Sequence, residues 1–317
     1  MEKITNFFVG VDVSKKWLDI YIHPKNEFFR ISNCVIGINK LLQTLSAYNI
    51  ERIVCESSGG YENLLLNLCA EAQYKIWQVD PKRIKAFIVS EGIKAKTDKI
   101  DAKMIALFAS QKEPKYDKHQ KSLVHCKLRA LVQRKTDLTN MASMEKKRLN
   151  GPSGLYCKEN IENILKIFSD NINTLDVEIQ KIIDEDDDMN NRKQILESIP
   201  GIGKTTAANL IAHMPELGTV ENKEAAALLG VAPYTKQSGT YKGQETISGG
   251  RFAPRCALYM AALTACRYNP VMKNFYSRLR NTGKKPKVAV VAVMNKLIVT
   301  INAMCKKNMK WVHLPIS

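Results

Sequence analysis

No CxxC pair occurs anywhere in this 317-residue sequence, which removes zinc-ribbon spacing from consideration. Its eight cysteines, at 34, 55, 69, 126, 157, 256, 266 and 305, are scattered. Several lie in apolar runs, where a free thiol behaves as a small hydrophobe. No leader-like segment opens the chain, so an intracellular, reducing compartment is the expectation. A long unbroken apolar run is missing too. The most apolar stretch, VAVVAVMNKLIVTINAM, is interrupted by Asn295 and Lys296, so a core helix is expected there and no membrane partner. Acidic residues are the scarcest class relative to their opposites: 31 Asp and Glu against 48 Lys and Arg, a formal net charge of +17 and a pI near 9.4. Such an excess suggests a polyanionic partner, most often nucleic acid, over a merely basic cytosolic protein.

Among those few acids, four stand where acids are costly or conspicuous. Asp12 sits in the apolar run FFVGVDVS, and Glu56 ends another, RIVCESSGG. Asp98 and Asp101 lie one helical turn apart in KAKTDKIDAKMIALFA. An unpaired carboxylate on a buried strand loses several kcal/mol or changes its pKa, so the set asks for a shared counter-charge. A hard divalent cation is the usual one: Mg²⁺, with Mn²⁺ as a substitute. Each acid also has a plain structural alternative. Asp12 can form a strand-end turn, Glu56 can open the loop SSGG, and Asp98 can cap a helix that carries Asp101 in its first turn.

Three parts follow from the patterning. Residues 1–118 read as strands FFVGVDV, WLDIYIH and EFFRISN, a helix over 37–48, strand RIVCES, helix YENLLLNLCAEA, strand YKIWQVD and helix DKIDAKMIALFAS. A meander followed by strand–helix alternation predicts a mixed α/β sheet with helices packed on it. Residues 119–189 have helical spacing with a break at GPSG (151–154), which predicts a helical hairpin or coiled-coil arm ending in a solvated acidic linker, DEDDD. Residues 190–317 form a helix-rich, glycine-punctuated unit.

That last unit holds two further motifs. ILESIPGIGKTTAANLIAHM (195–214) resembles a helix–hairpin–helix binder of DNA backbone: Gly201 and Gly203 let amides approach phosphate, and Lys204 and Thr205 open the second helix. A Walker A loop is excluded, because the required first glycine is Ser198. In LLGVAPYTKQSGTYKGQETISGGRFAPRCALYMAAL (228–263), Ser238 and Ser248 lie among glycines with Lys242, Arg251 and Arg255 nearby. A hydroxyl flanked by cations suits attack on a phosphodiester, and a phosphate-contacting loop without chemistry is the simpler alternative.

The order of strands and acids in the first part resembles the ribonuclease-H/RuvC-like nuclease fold, in which the first and fourth strands are neighbours. Actin-like and sugar-kinase ATPases also begin with a strand like VGVDVS, but they need a second glycine-rich phosphate loop for which SSGGY is thin support. Taken together, GVDVSKKWLDI, VCESSGGYENLL, VDPKRIKAFIVSEGIKAKTDKIDAKMIALFA, IPGIGKTTAANLIA, LLGVAPYTKQSGTYKG and ISGGRFAPRCALYMAAL resemble the DEDD-type insertion-sequence transposases, also called Piv/MooV-like DNA recombinases. The resemblance spans nearly the whole chain. It implies an RuvC-like domain, a coiled-coil arm and a C-terminal transposase domain. It further implies Mg²⁺ on Asp12, Glu56, Asp98 and Asp101, and a nucleophilic serine at Ser238 with Ser248 as its nearest rival. Double-stranded donor and target DNA, a structured noncoding guide RNA and a homo-oligomer, dimer or tetramer, are the partners it implies, in the cytoplasm at the bacterial nucleoid. A water-using metal nuclease or junction resolvase, and a non-enzymatic nucleic-acid binder, are the competing readings.

Overall fold

The computed structural model describes residues 5–93, 97–113, 123–152, 154–234, 237–238, 241–242 and 246–312. The chain divides into two compact units, Met1–Leu123 and Val124–Ser317.

The first unit is a five-stranded mixed sheet with helices on both faces. Its elements are β1 (Phe7–Val13), β2 (Trp17–His23), β3 (Glu27–Ser32), α1 (Val35–Leu45), β4 (Ile50–Glu56), α2 (Asn63–Glu71), β5 (Ile76–Val79), α3 (Pro81–Ser90) and α4 (Asp98–Gln111). The strand order is β3-β2-β1-β4-β5. β1 pairs antiparallel with β2 and parallel with β4, so the first and fourth strands are neighbours as the nuclease-like order requires. Alternation along β1 separates two cores. Val9, Val11 and Val13 face a cluster with Ile38, Leu41 and Leu65 from α1 and α2. Phe8 and the β4–β5 residues Val54 and Trp77 face Ile84, Phe87, Ile105 and Phe108 from α3 and α4. Helix α3 had no counterpart in the sequence reading. It is set by Asp80, whose side chain accepts the Lys82 N–H at 2.8 Å, and by Pro81 at the first helical position.

The second unit is helical: α5 (Leu123–Leu149), α6 (Gly154–Glu185), α7 (Asp187–Glu197), α8 (Lys204–His213), α9 (Asn222–Leu229), four two-residue strands β6 (Pro233–Tyr234), β7 (Gln237–Ser238), β8 (Tyr241–Lys242) and β9 (Thr246–Ile247), then α10 (Phe252–Tyr268), α11 (Pro270–Asn281) and α12 (Pro286–Lys307). The break between α5 and α6 falls at the GPSG segment. The N-terminal half of α5 lies along the C-terminal half of α6, joined by the Lys127–Glu178 pair at 2.8 Å and a Lys135–Asp176 pair. Leu128, Val132, Ile179, Ile182 and Ile183 bury into one core with α8, α10 and α12, so this arm is rooted in the C-terminal helices.

Two expectations in this unit need correction. DEDDD is no linker: α6 runs through Glu185, Asp186 caps α7 by accepting the Met189 N–H at 2.9 Å, and Asp188 pairs with Arg192. Asp186, Asp187 and Asp188 sit at a helix start, where the dipole favours them, while Asp184 and Glu185 end α6. The stretch 233–247 also carries nested antiparallel pairs, β6 with β9 and β7 with β8, in a segment expected to be loop. Helix α12 has the length and hydropathy to cross a membrane, yet Val293, Met294, Leu297, Ile298 and Ile301 are buried in this unit's core. Its polar residues bond inward as well. The Asn295 amide reaches the Val231 carbonyl, and the buried Asn302 accepts from Gly218 N–H while donating to Val220.

Candidate active site

Gly10 decides where α4 crosses the sheet. A Cβ built there would stand 2.2 Å from the Ala106 nitrogen and 2.3 Å from the Ala102 oxygen, so the helix backbone rests directly on β1. Ala102 and Ala106, both fully buried, keep that side of the helix flat. Gly10 and Asp12 share a face of the strand, and Asp98 and Asp101 lie a turn before the crossing. The close approach therefore brings the first turn of α4 over Asp12. Thr97 caps α4 by accepting the Ile100 N–H at 3.2 Å, which leaves Asp98 without the capping duty considered above.

The electrostatics record that convergence. Burial pushes the Asp12 carboxyl up from 3.8 to about 6, and the negative charges of Asp101, Asp19 and Asp98 push in the same direction. The Val13 N–H hydrogen bond opposes them. Glu56 ends β4, and the β1–β4 register pairs Val11 with Cys55, so the next positions on the two parallel strands are Asp12 and Glu56. Both lie at the carboxyl end of the sheet, where open α/β sheets place their ligands.

Sequence reasoning missed two members of the cluster. Asp19 lies opposite Asp12 on β2, and Arg30 lies opposite Asp19 on β3, so the three form a row across the sheet. Asp19 is 4% exposed and receives two hydrogen bonds from Arg30, at 2.8 and 3.0 Å. The same guanidinium reaches Asp98 at 2.5 Å. Two carboxylates directly opposite each other repel. Arg30 relieves part of that and holds the start of α4 to the sheet. An acid in WLDIY was the available signal, but the register that joins it to Asp12 is not written in either segment.

A third missed residue is Glu62. It is buried and gathers the Ser58 and Gly60 N–H groups, the Ser58 hydroxyl and the Gln78 amide, at 2.5 to 3.1 Å. Burial works against its charge, but these donors outweigh that and hold its pKa below the ordinary glutamate range. Glu62 thus locks the loop that follows Glu56.

Oxygen donors clustered at one end of the sheet, in mutual repulsion, suit a hard divalent cation. Among the described residues no three His, Cys, Asp or Glu side chains already form a closed coordination group. The acids gather, and Arg30 supplies the positive charge that balances part of them.

In the second unit the PGIG turn joins α7 to α8. Gly201 has φ +106, and a Cβ there would meet the Ala265 backbone at 2.8 Å, so this glycine lets the turn pack on α10. Gly203 begins α8 with open space around it and no side-chain cap. Gly203, Lys204 and Thr205 are exposed. Glycines of the third motif weld two turns together. A Cβ on Gly250 would stand 2.2 Å from the Gly230 nitrogen, and Arg255 donates to the carbonyls of Gly249 at 2.6 Å and Gly230 at 3.4 Å. Arg251 forms a bidentate pair with Glu216 at 2.6 and 2.7 Å and reaches the His213 carbonyl. Ser238 and Lys242 stand on the paired strands β7 and β8, and Ser248 is exposed beyond β9.

An RNase-H-like mixed sheet with acids on its first strand, its fourth strand and a crossing helix defines the class: a DEDD transposase domain. Residues 9–151 match the DEDD transposase family model of the IS110 type, and residues 193–277 match the model described as Transposase IS116/IS110/IS902 family. These matches place the chain among the IS110-family DEDD transposases, which cut and rejoin DNA. It is 28% identical to the pilin gene-inverting protein of Moraxella bovis over 315 residues, covering 95% of this chain and 96% of that protein. The pilin gene-inverting protein of Moraxella lacunata shows the same identity and coverage. An IS110 insertion-element protein of Streptomyces coelicolor is 31% identical over 115 residues, 28% of its length.

Proposed function

We propose that this transposase is a Mg²⁺-dependent DNA strand-exchange enzyme of an insertion sequence that uses Ser238 as nucleophile and a structured noncoding RNA as guide. The observation that carries the metal assignment is the crowding of Asp12 by Asp98 and Asp101 at the carboxyl end of β1. Asp12, Glu56, Asp98 and Asp101 hold the cation, with Mn²⁺ as a substitute. When bound, it supplies charge neutralisation at phosphorus and polarises the phosphodiester oxygens.

This chain's residues do the rest. The Ser238 hydroxyl oxygen displaces one DNA oxygen from phosphorus, giving a phosphoserine diester and a free DNA hydroxyl. A hydroxyl of the second strand then displaces the serine, so each bond broken is replaced. Gly201, Gly203, Lys204, Thr205, Lys242, Arg251 and Arg255 bind nucleic-acid backbone in this reading. For Gly203 the support is the uncapped, exposed start of α8. Arg251 and Arg255 also shape the loop through Glu216 and the Gly230 and Gly249 carbonyls. The working enzyme is a dimer or tetramer acting on donor and target duplexes in the cytoplasm, at the nucleoid.

The test is strand exchange between element ends and target in the presence of transcripts from the flanking DNA. Asp98→Ala should abolish exchange with DNA binding retained. Ser238→Ala should abolish both exchange and the covalent protein–DNA adduct trapped under denaturing conditions. Exchange that survives in Ser238→Ala, or cleavage without any adduct, favours water as nucleophile and the resolvase-like alternative.

A further inference from the structure

From Thr246 to Ser317 the chain holds thirteen Lys and Arg and not one Asp or Glu. Most of the net charge of +17 is thus concentrated in less than a quarter of the sequence. Carboxylate partners from elsewhere reach few of these cations: among the described residues, Arg251 pairs with Glu216 and Lys306 with Glu221, and the others pair with none.

The unpaired ones collect on α11, the turn after it and the start of α12. Helix α11 is amphipathic. Met272 is fully buried, and Phe275 and Tyr276 pack against the core. Lys273, Arg278 and Arg280 lie on its exposed side. The turn adds Lys284, Lys285 and Lys287, all exposed. Arg280 donates to the Lys284 carbonyl, so helix and turn are tied together. Arg278 and Lys296 both lie over a single ring, Phe275, at 5.4 and 4.6 Å from its centre. Among the described residues none of these six exposed cations has a carboxylate partner, so neighbouring ones repel, an effect that falls off over a Debye length of roughly 10 Å at 0.1 M salt. Such an arrangement costs stability in the free protein and is offset by a polyanion.

We infer that the α11–α12 face is a binding surface for the phosphate backbone of duplex DNA, made of residues other than those of the PGIG turn and the 228–263 loop. This rests on the transposase reading for its choice of partner. The contacts are to backbone and carry no sequence readout, because the aromatic rings of α11 are turned into the core, under the cations, and are not presented for stacking with unpaired bases.

The experiment compares the full chain with a Lys284→Gln, Lys285→Gln, Lys287→Gln variant. Binding to a random-sequence duplex is followed by anisotropy across a salt series in EDTA, so strand-cleavage chemistry plays no part. A second variant, Lys158→Gln, Lys166→Gln, Lys181→Gln, removes the same charge from α6. All six side chains are exposed, and thermal melts check that both variants fold. Each lost phosphate contact should make the slope of log K against log salt less negative by about 0.9, so the α11–α12 variant should shift it by about 2 to 3. The α6 variant should leave the slope unchanged. An unaltered slope in the first variant, an equal shift in the second, or a loss confined to structured RNA overturns the surface while leaving the strand-exchange reading to its own test.

Discussion

Replacing Asp12 by Asn should stabilise the metal-free sheet unit at neutral pH, an unusual outcome for a half-buried position. The folded carboxyl titrates at about 6 because of burial, Asp101, Asp19 and Asp98, against an ordinary value of 3.8. Between those values the native state holds a proton that the unfolded chain has released. Stability therefore falls as pH rises from about 4 through 6, and stays lower above it. At about 1.36 kcal/mol per pKa unit the shift corresponds to about 3 kcal/mol, and solvent screening of a partly exposed group reduces it to about 1 to 2 kcal/mol. Asn carries no charge at any of these pH values, so the penalty disappears. A two-unit chain is poorly described by one global transition, so the unfolding of this unit must be followed by itself. Trp17 and Trp77 lie in the sheet unit and Trp311 in the other. Urea unfolding in EDTA, read by tryptophan fluorescence in a Trp311→Phe background, isolates the former. Asp12→Asn should exceed the parent by about 1 to 2 kcal/mol at pH 7.5, with the difference closing towards pH 4. Saturating Mg²⁺ should reverse the order at pH 7.5. A variant less stable than the parent in EDTA at pH 7.5, or a difference independent of pH, would refute the reasoning.

Gly10→Ala forces a Cβ into the backbone of α4 and should cost about 1 to 3 kcal/mol. It should also weaken Mn²⁺ binding, since the helix carrying Asp98 and Asp101 must move; an unchanged melt with full metal binding would contradict the crossing argument. Glu62→Gln removes the charge that four donors converge on, and should lower stability by about 1 to 3 kcal/mol while speeding amide exchange of residues 57–61, as read by mass spectrometry. Gly250→Ala, at φ +73 and against the Gly230 backbone, should abolish strand exchange and lower the melting of the C-terminal unit only. An active, normally melting variant would show that the two turns need not touch.

Much of the sheet was legible because its strands are short apolar runs separated by polar turns, and because Asp12 and Glu56 interrupt them at their ends. Helix α3 was missed because the apolar residues of PKRIKAFIVS mark no clean face, with Ile84 and Phe87 buried but Val89 exposed, and its evidence is the Asp80–Pro81 start. The acidic run at 184–188 misled for a related reason. Adjacent acids resemble a solvated linker, whereas here they cap and open α7 and pair with Arg192 and Lys193. Asp19 and Arg30 were invisible as site members because their meaning depends on register: Asp12, Asp19 and Arg30 become a row only when three strands align. Arg251 reads as a phosphate ligand beside SGG, and only the fold discloses Glu216, 35 residues earlier in the chain, as its partner. The glycines of LLG and SGG likewise explain one another once Gly230 and Gly250 are seen in contact.

The most direct test of the central claim is Mn²⁺ binding to the purified chain, followed by electron paramagnetic resonance, with Asp12→Asn and Asp101→Asn measured alongside. The account predicts saturable binding in the parent that is lost in both variants while each remains folded. Binding that persists undiminished in the two variants, or is missing from the parent, would contradict a metal centre built on these carboxylates.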